Sequence, residues 1–152
     1  MSNVTLAQAT TIVDTALERG REAGLKPLTV AVLDAGGHLV ALKREDHSSI
    51  LRPEIATGKA WGALGMGFSS RAIRDHLMDR PTFINALTAA SNGRFIPVPG
   101  GVVIKDKDRL IIGAVGISGD TSEKDEYCAI EGVKAAGLIP DPEAPDPDWE
   151  KI

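Results

Sequence analysis

Apolar positions change period several times along the chain, and each change marks an element. Leu6, Ala9, Ile12, Val13, Ala16 and Leu17 recur at three- and four-residue intervals, the spacing of one helix face. Thr5 and Gln8 match the capping pattern that satisfies free N–H groups at a helix start, and Gly24 and Pro27 punctuate the end. The pattern predicts a first helix over 5–23. Leu28–Leu33 and Leu39–Leu42 are short, β-rich apolar runs joined by Asp-Ala-Gly-Gly-His, a connection suited to a hairpin. Helical patterns follow over 53–66, 70–78 and 81–91, with Pro81 suited to a first turn and Asn92-Gly93 to an end. Two more strands are predicted over 101–105 and 110–117, around the polar turn Asp-Lys-Asp. A short strand over 95–98 is demoted to an edge or bulge by Pro97 and Pro99. The last helix spans 120–138, with Asp120, Thr121, Ser122 and Glu123 in its first turn, where the helix dipole is positive.

The order α-β-β-α-α-α-β-β-α with hairpin-length connections predicts an α+β domain, an antiparallel sheet of about five strands with flanking helices. Residues 1–139 read as one domain. Residues 140–152 carry Pro at 140, 142, 145 and 147 among Asp and Glu, and read as an acidic tail extended on the surface or on a partner.

Composition narrows the function classes. The chain has 152 residues, a net charge of −4 and 43% hydrophobic residues, enough for one core and without the basic face of a nucleic-acid binder. No apolar run approaches the roughly 18 residues of a membrane span. The N-terminus lacks a basic stretch followed by an apolar one, and the single cysteine, Cys128, fits a reducing compartment. The expected location is the cytoplasm.

Candidate chemistry is sparse. Gly58, Gly62, Gly65 and Gly67 punctuate a helical pattern, where each costs about 1 kcal/mol relative to Ala. Close packing on a sheet or a ligand would offset that cost. Lys59 sits among these small residues and is a candidate catalytic or anion-binding group, because burial would lower its pKa. Thr57-Gly58-Lys59-Ala60 is not a phosphate-binding loop: Pro53 and Ala60 stand where Gly and Ser/Thr are required. His38 follows the hairpin glycines, His47 lies in a polar loop and His76 follows Asp75 on a predicted helix. None has zinc-ligand spacing. Glu123 and Glu126 are candidates for moving a proton. Gly100 and Gly101, after Pro97-x-Pro99, would let backbone approach a ligand.

Taken together, VAVLDAGGHLVALKRED, IATGKAWGALGMG, PVPGGVVI and IIGAVGISGDTSEKDEYCAIEGVKAAGL resemble, in order, the GlcG/HbpS family. This family is also called the haem-degrading domain family and includes the C-terminal domain of PduO-type proteins. The resemblance covers about residues 6–138. It implies a profilin-like fold, homo-oligomers and, in some members, binding of haem or iron. Where many relatives read Arg-Met-Asp-Gly after the hairpin, this chain has Arg44-Glu45-Asp46-His47.

Three functions follow as expectations. The first is a small-ligand or haem-binding protein, its pocket lying between the Gly-rich helix, the loop after the hairpin and the Pro-Gly-Gly turn. His47 or His38 would ligate haem iron, or another metal, and Arg44 and Lys59 would pair with propionates. The second is a cofactor-independent isomerase, tautomerase or lyase acting on a small hydroxy- or keto-acid. There Arg44 or Lys59 would bind the carboxylate and His47, Glu123 or Glu126 would move a proton. The third is an oligomeric accessory subunit.

Overall fold

The computed structural model describes residues 2–152. Among them, five helices and five strands follow the order α1 (Leu6–Glu22), β1 (Thr29–Asp34), β2 (Leu39–Arg44), α2 (Arg52–Met66), α3 (Ser70–Leu77), α4 (Pro81–Ala90), β3 (Gly101–Lys105), β4 (Ile111–Ser118), α5 (Ser122–Ala135) and β5 (Ile139–Asp141). A 3-10 turn, Trp149–Lys151, closes the chain. The strands form one sheet in the order β2-β1-β4-β3-β5, and every neighbouring pair is antiparallel. This is the α+β architecture that the hairpin-length connections predict.

Strands β1 and β4 are apolar at nearly every position and buried along their length, which requires cover on both faces of the sheet. On one face Val30, Val32, Val102, Ile104, Val115 and Ile117 meet apolar side chains of α1 and α5. On the other, Leu33 and Ala114 meet Ala60, Trp61 and Leu64 of α2. A third cluster, centred on Ile73, Leu77 and Phe95, gathers side chains of α3 and α4 beside it.

Helix α2 lies unusually close to the sheet, and small residues on the strands make that possible. A Cβ added to Gly116 would fall 1.8 Å from the Ala56 carbonyl oxygen, and one added to Gly101 would fall 2.3 Å from that of Lys59. The helix glycines serve the opposite side. A Cβ at Gly58 would meet Ile96 Cγ1 at 2.4 Å and the Arg94 carbonyl at 2.7 Å, and one at Gly62 would touch Phe95 at 3.0 Å. The segment predicted as a strand over 95–98 is therefore an irregular cover over α2, with Phe95 buried. Gly67 is outside the helix, as its left-handed C-cap at φ 82°.

The last helix begins later than the sequence pattern placed it, because the Thr121 side chain accepts from the Lys124 N–H as its N-cap. The Pro-rich segment folds back on its own domain. Ile139–Asp141 pairs with β3, so a boundary after residue 139 falls inside a strand. Beyond it, Arg71 donates to the Ala144 carbonyl at 2.6 Å, and Trp149 stacks on Tyr127 with ring centroids 3.8 Å apart. Among the described residues no helix is long and apolar enough to cross a membrane.

Candidate functional site

The sequence candidates separate into two places. Lys59, Glu123 and Glu126 lie along one seam at the start of α5, where side chains of α2 and α3 reach its acids. Lys59 is 2% exposed, and its ammonium donates to the Ile117 carbonyl at 2.8 Å and to Asp125 Oδ2 at 3.3 Å. Arg71 Nε donates to Glu126 Oε2 at 3.0 Å, and Arg71 Nη2 stands 3.0 Å from Oε1 without hydrogen-bond alignment. Arg74 reaches Glu123 at 3.4 Å. The acids on the first turns of α5 do hold cations, but the cations are the chain's own.

Gly100 and Gly101 belong to this seam rather than to a ligand cleft, which corrects the expectation. Gly100 has φ 118°, and a Cβ there would stand 2.9 Å from both Lys59 Nζ and the Ile117 carbonyl. The single compartment expected beneath α2 is filled by this backbone contact.

Burial governs the titration of the seam. It lowers the Lys59 pKa against the pull of Asp125, and it raises Asp125 to about 6 against the charge of Lys59. Burial likewise raises Glu126, opposed by Arg71. From these shifts a pH dependence follows. Asp125 has a folded value of about 6 and an ordinary value of 3.8, so over that window the folded state keeps a proton the unfolded chain has lost. Its contribution is fully present below the ordinary value and is lost as pH rises through the folded one. Chemical denaturation between pH 4 and pH 7 should show wild-type stability falling relative to Asp125→Asn; parallel profiles would contradict the shift.

The remaining candidates lie along the edge strand. His38 precedes β2 and His47 follows it, about 20 Å apart along a strand of this length. Arg44 donates to the Ser48 carbonyl at 2.7 Å. It lines an open cleft of about 550 Å³ with Leu17, Arg21, Leu25, Pro27 and Lys43. Lys59 is not among the residues of that cleft; it is buried against the Ile117 carbonyl and Asp125. His47 is exposed in left-handed backbone at φ 71°, and among the described residues no carboxylate is placed against it.

His38 is held differently. Its Nδ1 lies 3.1 Å from Asp34 Oδ1, while its side chain is 79% exposed. Hydrogen bonds from the His38 and Gly36 backbone N–H groups hold the Asp34 carboxyl below the usual range. In the tautomer that donates Nδ1–H to Asp34, Nε2 carries the lone pair, the arrangement that orients metal-ligating histidines. Gly37, the next residue back, lies against Trp61: a Cβ there would be 3.1 Å from the indole nitrogen.

Trp61 floors a cleft of about 460 Å³ with Pro53, Glu54, Thr57, Gly58 and the turn Asn92-Gly93-Arg94. The volume falls within the range of small-molecule sites, and only the absent side chain of Gly58 lets that turn approach the helix. Asp125, Arg71, Arg74 and Arg94 were not among the sequence candidates. Asp125 was legible only as one of several acids at a helix start, and nothing in the local pattern marks the three arginines. Among the described residues no three His, Cys, Asp or Glu side chains are grouped to hold a metal ion.

Residues 4–134 match the family described as haem degrading protein HbpS-like. A stretch of 123 residues is 27% identical to the corrinoid adenosyltransferase PduO of Salmonella typhimurium strain LT2, covering 81% of this chain and 36% of that protein. The chain thus spans little more than a third of that relative. An uncharacterized 15.0 kDa protein from the dhaT-dhaS intergenic region of Citrobacter freundii is 27% identical over 131 residues, 85% of this chain and 89% of that one. The crystal structure of a PduOC:heme complex superposes with a TM-score of 0.80 at 24% identity, covering 90% of this chain and 96% of that chain, a likeness of fold. Because the matched span takes in β1 to β4 and all five helices up to the last turn of α5, this chain belongs to the HbpS-like family.

Proposed function

We propose that this protein binds haem, or a similarly flat metal-bearing ligand, at the cleft floored by Trp61. The observation that carries the reading is the His38–Asp34 pair at the hairpin tip, whose neighbour Gly37 packs on Trp61. His38 Nε2 would ligate the metal, with the Asp34 carboxylate fixing the ring behind it. Arg94 would pair with a propionate, and Trp61 would supply an apolar face. Haem, when bound, supplies an iron that exchanges electrons and binds small ligands. Support also comes from the family description and from the haem complex of the structurally similar PduOC.

Between the two histidines, the geometry favours His38 over His47, because among the described residues a carboxylate is placed against His38 and none against His47. A proton-transfer enzyme built on Lys59 has less support, since that ammonium is sealed from solvent and already shared between Asp125 and a carbonyl.

Haem titration tests the proposal. The wild type should give a shifted Soret band with a Kd below about 10 µM, roughly 7 kcal/mol of binding. His38→Ala should weaken binding about tenfold or more and change the band, whereas His47→Ala should stay close to wild type. Unchanged binding by His38→Ala, or an effect confined to His47→Ala, would remove His38 from the site.

A further inference from the structure

Arg94 is the arginine that lines this cleft. Arg71, Arg74 and Arg109 each face a carboxylate, whereas among the described residues Arg94, like Arg44, Arg52 and Arg80, forms no ion pair. Its guanidinium carbon rests 3.9 Å from the centroid of the Trp61 ring, a contact within cation–π range. Glu54 lines the same cleft without reaching it. The backbone of the turn is fixed: Asn92 and Gly93 are both left-handed, the Arg94 carbonyl abuts Gly58, and Phe95 is buried. Apart from the indole face, the side-chain contact is Nε, which donates to the Ser91 carbonyl at 3.0 Å; the planar guanidinium leaves the ring as a unit, by rotation about the side-chain single bonds and release of that one hydrogen bond.

We propose that the Arg94 guanidinium is a displaceable cover on Trp61, and that the cleft selects flat aromatic rings bearing carboxylates. Such a ring takes the guanidinium's place on the indole face while Arg94 moves off the ring to pair with a carboxylate. A ring without acid groups must displace Arg94 with no compensating ion pair. Arg94 therefore favours acidic rings and opposes neutral ones of the same shape. The inference rests on the reading of this cleft as the ligand site, but it needs neither iron nor His38.

The test uses the full chain with Trp149→Phe, which leaves Trp61 as the only tryptophan of two. Quenching of Trp61 fluorescence is followed with metal-free protoporphyrin IX and with its uncharged diamide. Arg94→Ala should weaken the dicarboxylate by about three- to tenfold and tighten the diamide by about two- to fivefold, the scale of an exposed ion pair and a cation–π contact. Arg94→Lys, which keeps the charge but not the flat guanidinium, should keep most of the dicarboxylate affinity. Changes of the same sign for both rings, or no change, would overturn the proposal. If haem binds through His38 while the metal-free ring leaves Trp61 unquenched, this inference fails and the His38 assignment stands. If the metal-free ring follows the expected pattern and His38→Ala leaves haem binding intact, the reverse holds.

Discussion

Gly116→Ala is expected to lower the melting temperature by about 6–12 °C, the loss of roughly 3 kcal/mol in a domain of this size. The added methyl would sit 1.8 Å from the Ala56 carbonyl oxygen, a backbone atom that no rotamer change can move. Helix α2 would have to lift off β4, opening its contacts with Leu33 and Ala114 and drawing Lys59 away from Ile117. Gly65→Ala provides the contrast. It lies on the same helix, and its added methyl would meet only Trp61 Cζ3 at 3.7 Å, an ordinary contact. That variant should be neutral or gain up to about 1 kcal/mol, because alanine loses less backbone freedom in a helix. Thermal denaturation of both variants checks the pair. Equal melting temperatures would mean that α2 is not held at backbone distance from the sheet.

Lys59→Met should destabilise the fold by about 3–5 kcal/mol, because it leaves the Asp125 carboxylate buried without a counter-charge. Adding Asp125→Asn should recover more than half of the loss: the amide oxygen still accepts from the Asp120 N–H and carries no charge. Chemical denaturation of the four proteins in a double-mutant cycle gives the coupling directly. A Lys59→Met variant within about 1 kcal/mol of wild type would show that the ion pair contributes little. The expected size reflects what the pair joins. Lys59 extends from the layer on one face of the sheet, Asp125 belongs to the layer on the other, and they meet beside the end of β4 at Ile117.

Much of the architecture was legible in sequence because it depends on local periodicity. The Thr5–Gln8 box forms as read, with both reciprocal bonds present, and the two hairpins follow from short polar connections between apolar runs. The cost of glycine in α2 correctly announced close packing, but a sequence does not say on which side. Gly58 and Gly62 face the cover at 94–96, while the sheet is approached through glycines of the strands themselves.

The candidate site was less legible for a related reason. Lys59 was singled out for its small neighbours, and burial does lower its pKa, but its partner Asp125 lies 66 positions later. From the sequence, His47 was a stronger candidate than His38, because it lies in a polar loop. The difference between them is a carboxylate four residues before one and absent, among the described residues, beside the other.

What this sequence determined alone is the succession of helices and strands, the antiparallel pairing and the kinship that its motifs carry, since each rests on neighbours in the chain. What only the tertiary structure decided is which charges neutralise one another and which, among the described residues, form no ion pair. Charge pairing across a fold depends on distances that no local spacing records, and it turned Lys59 inward while leaving Arg94 on an indole face beside an open cleft.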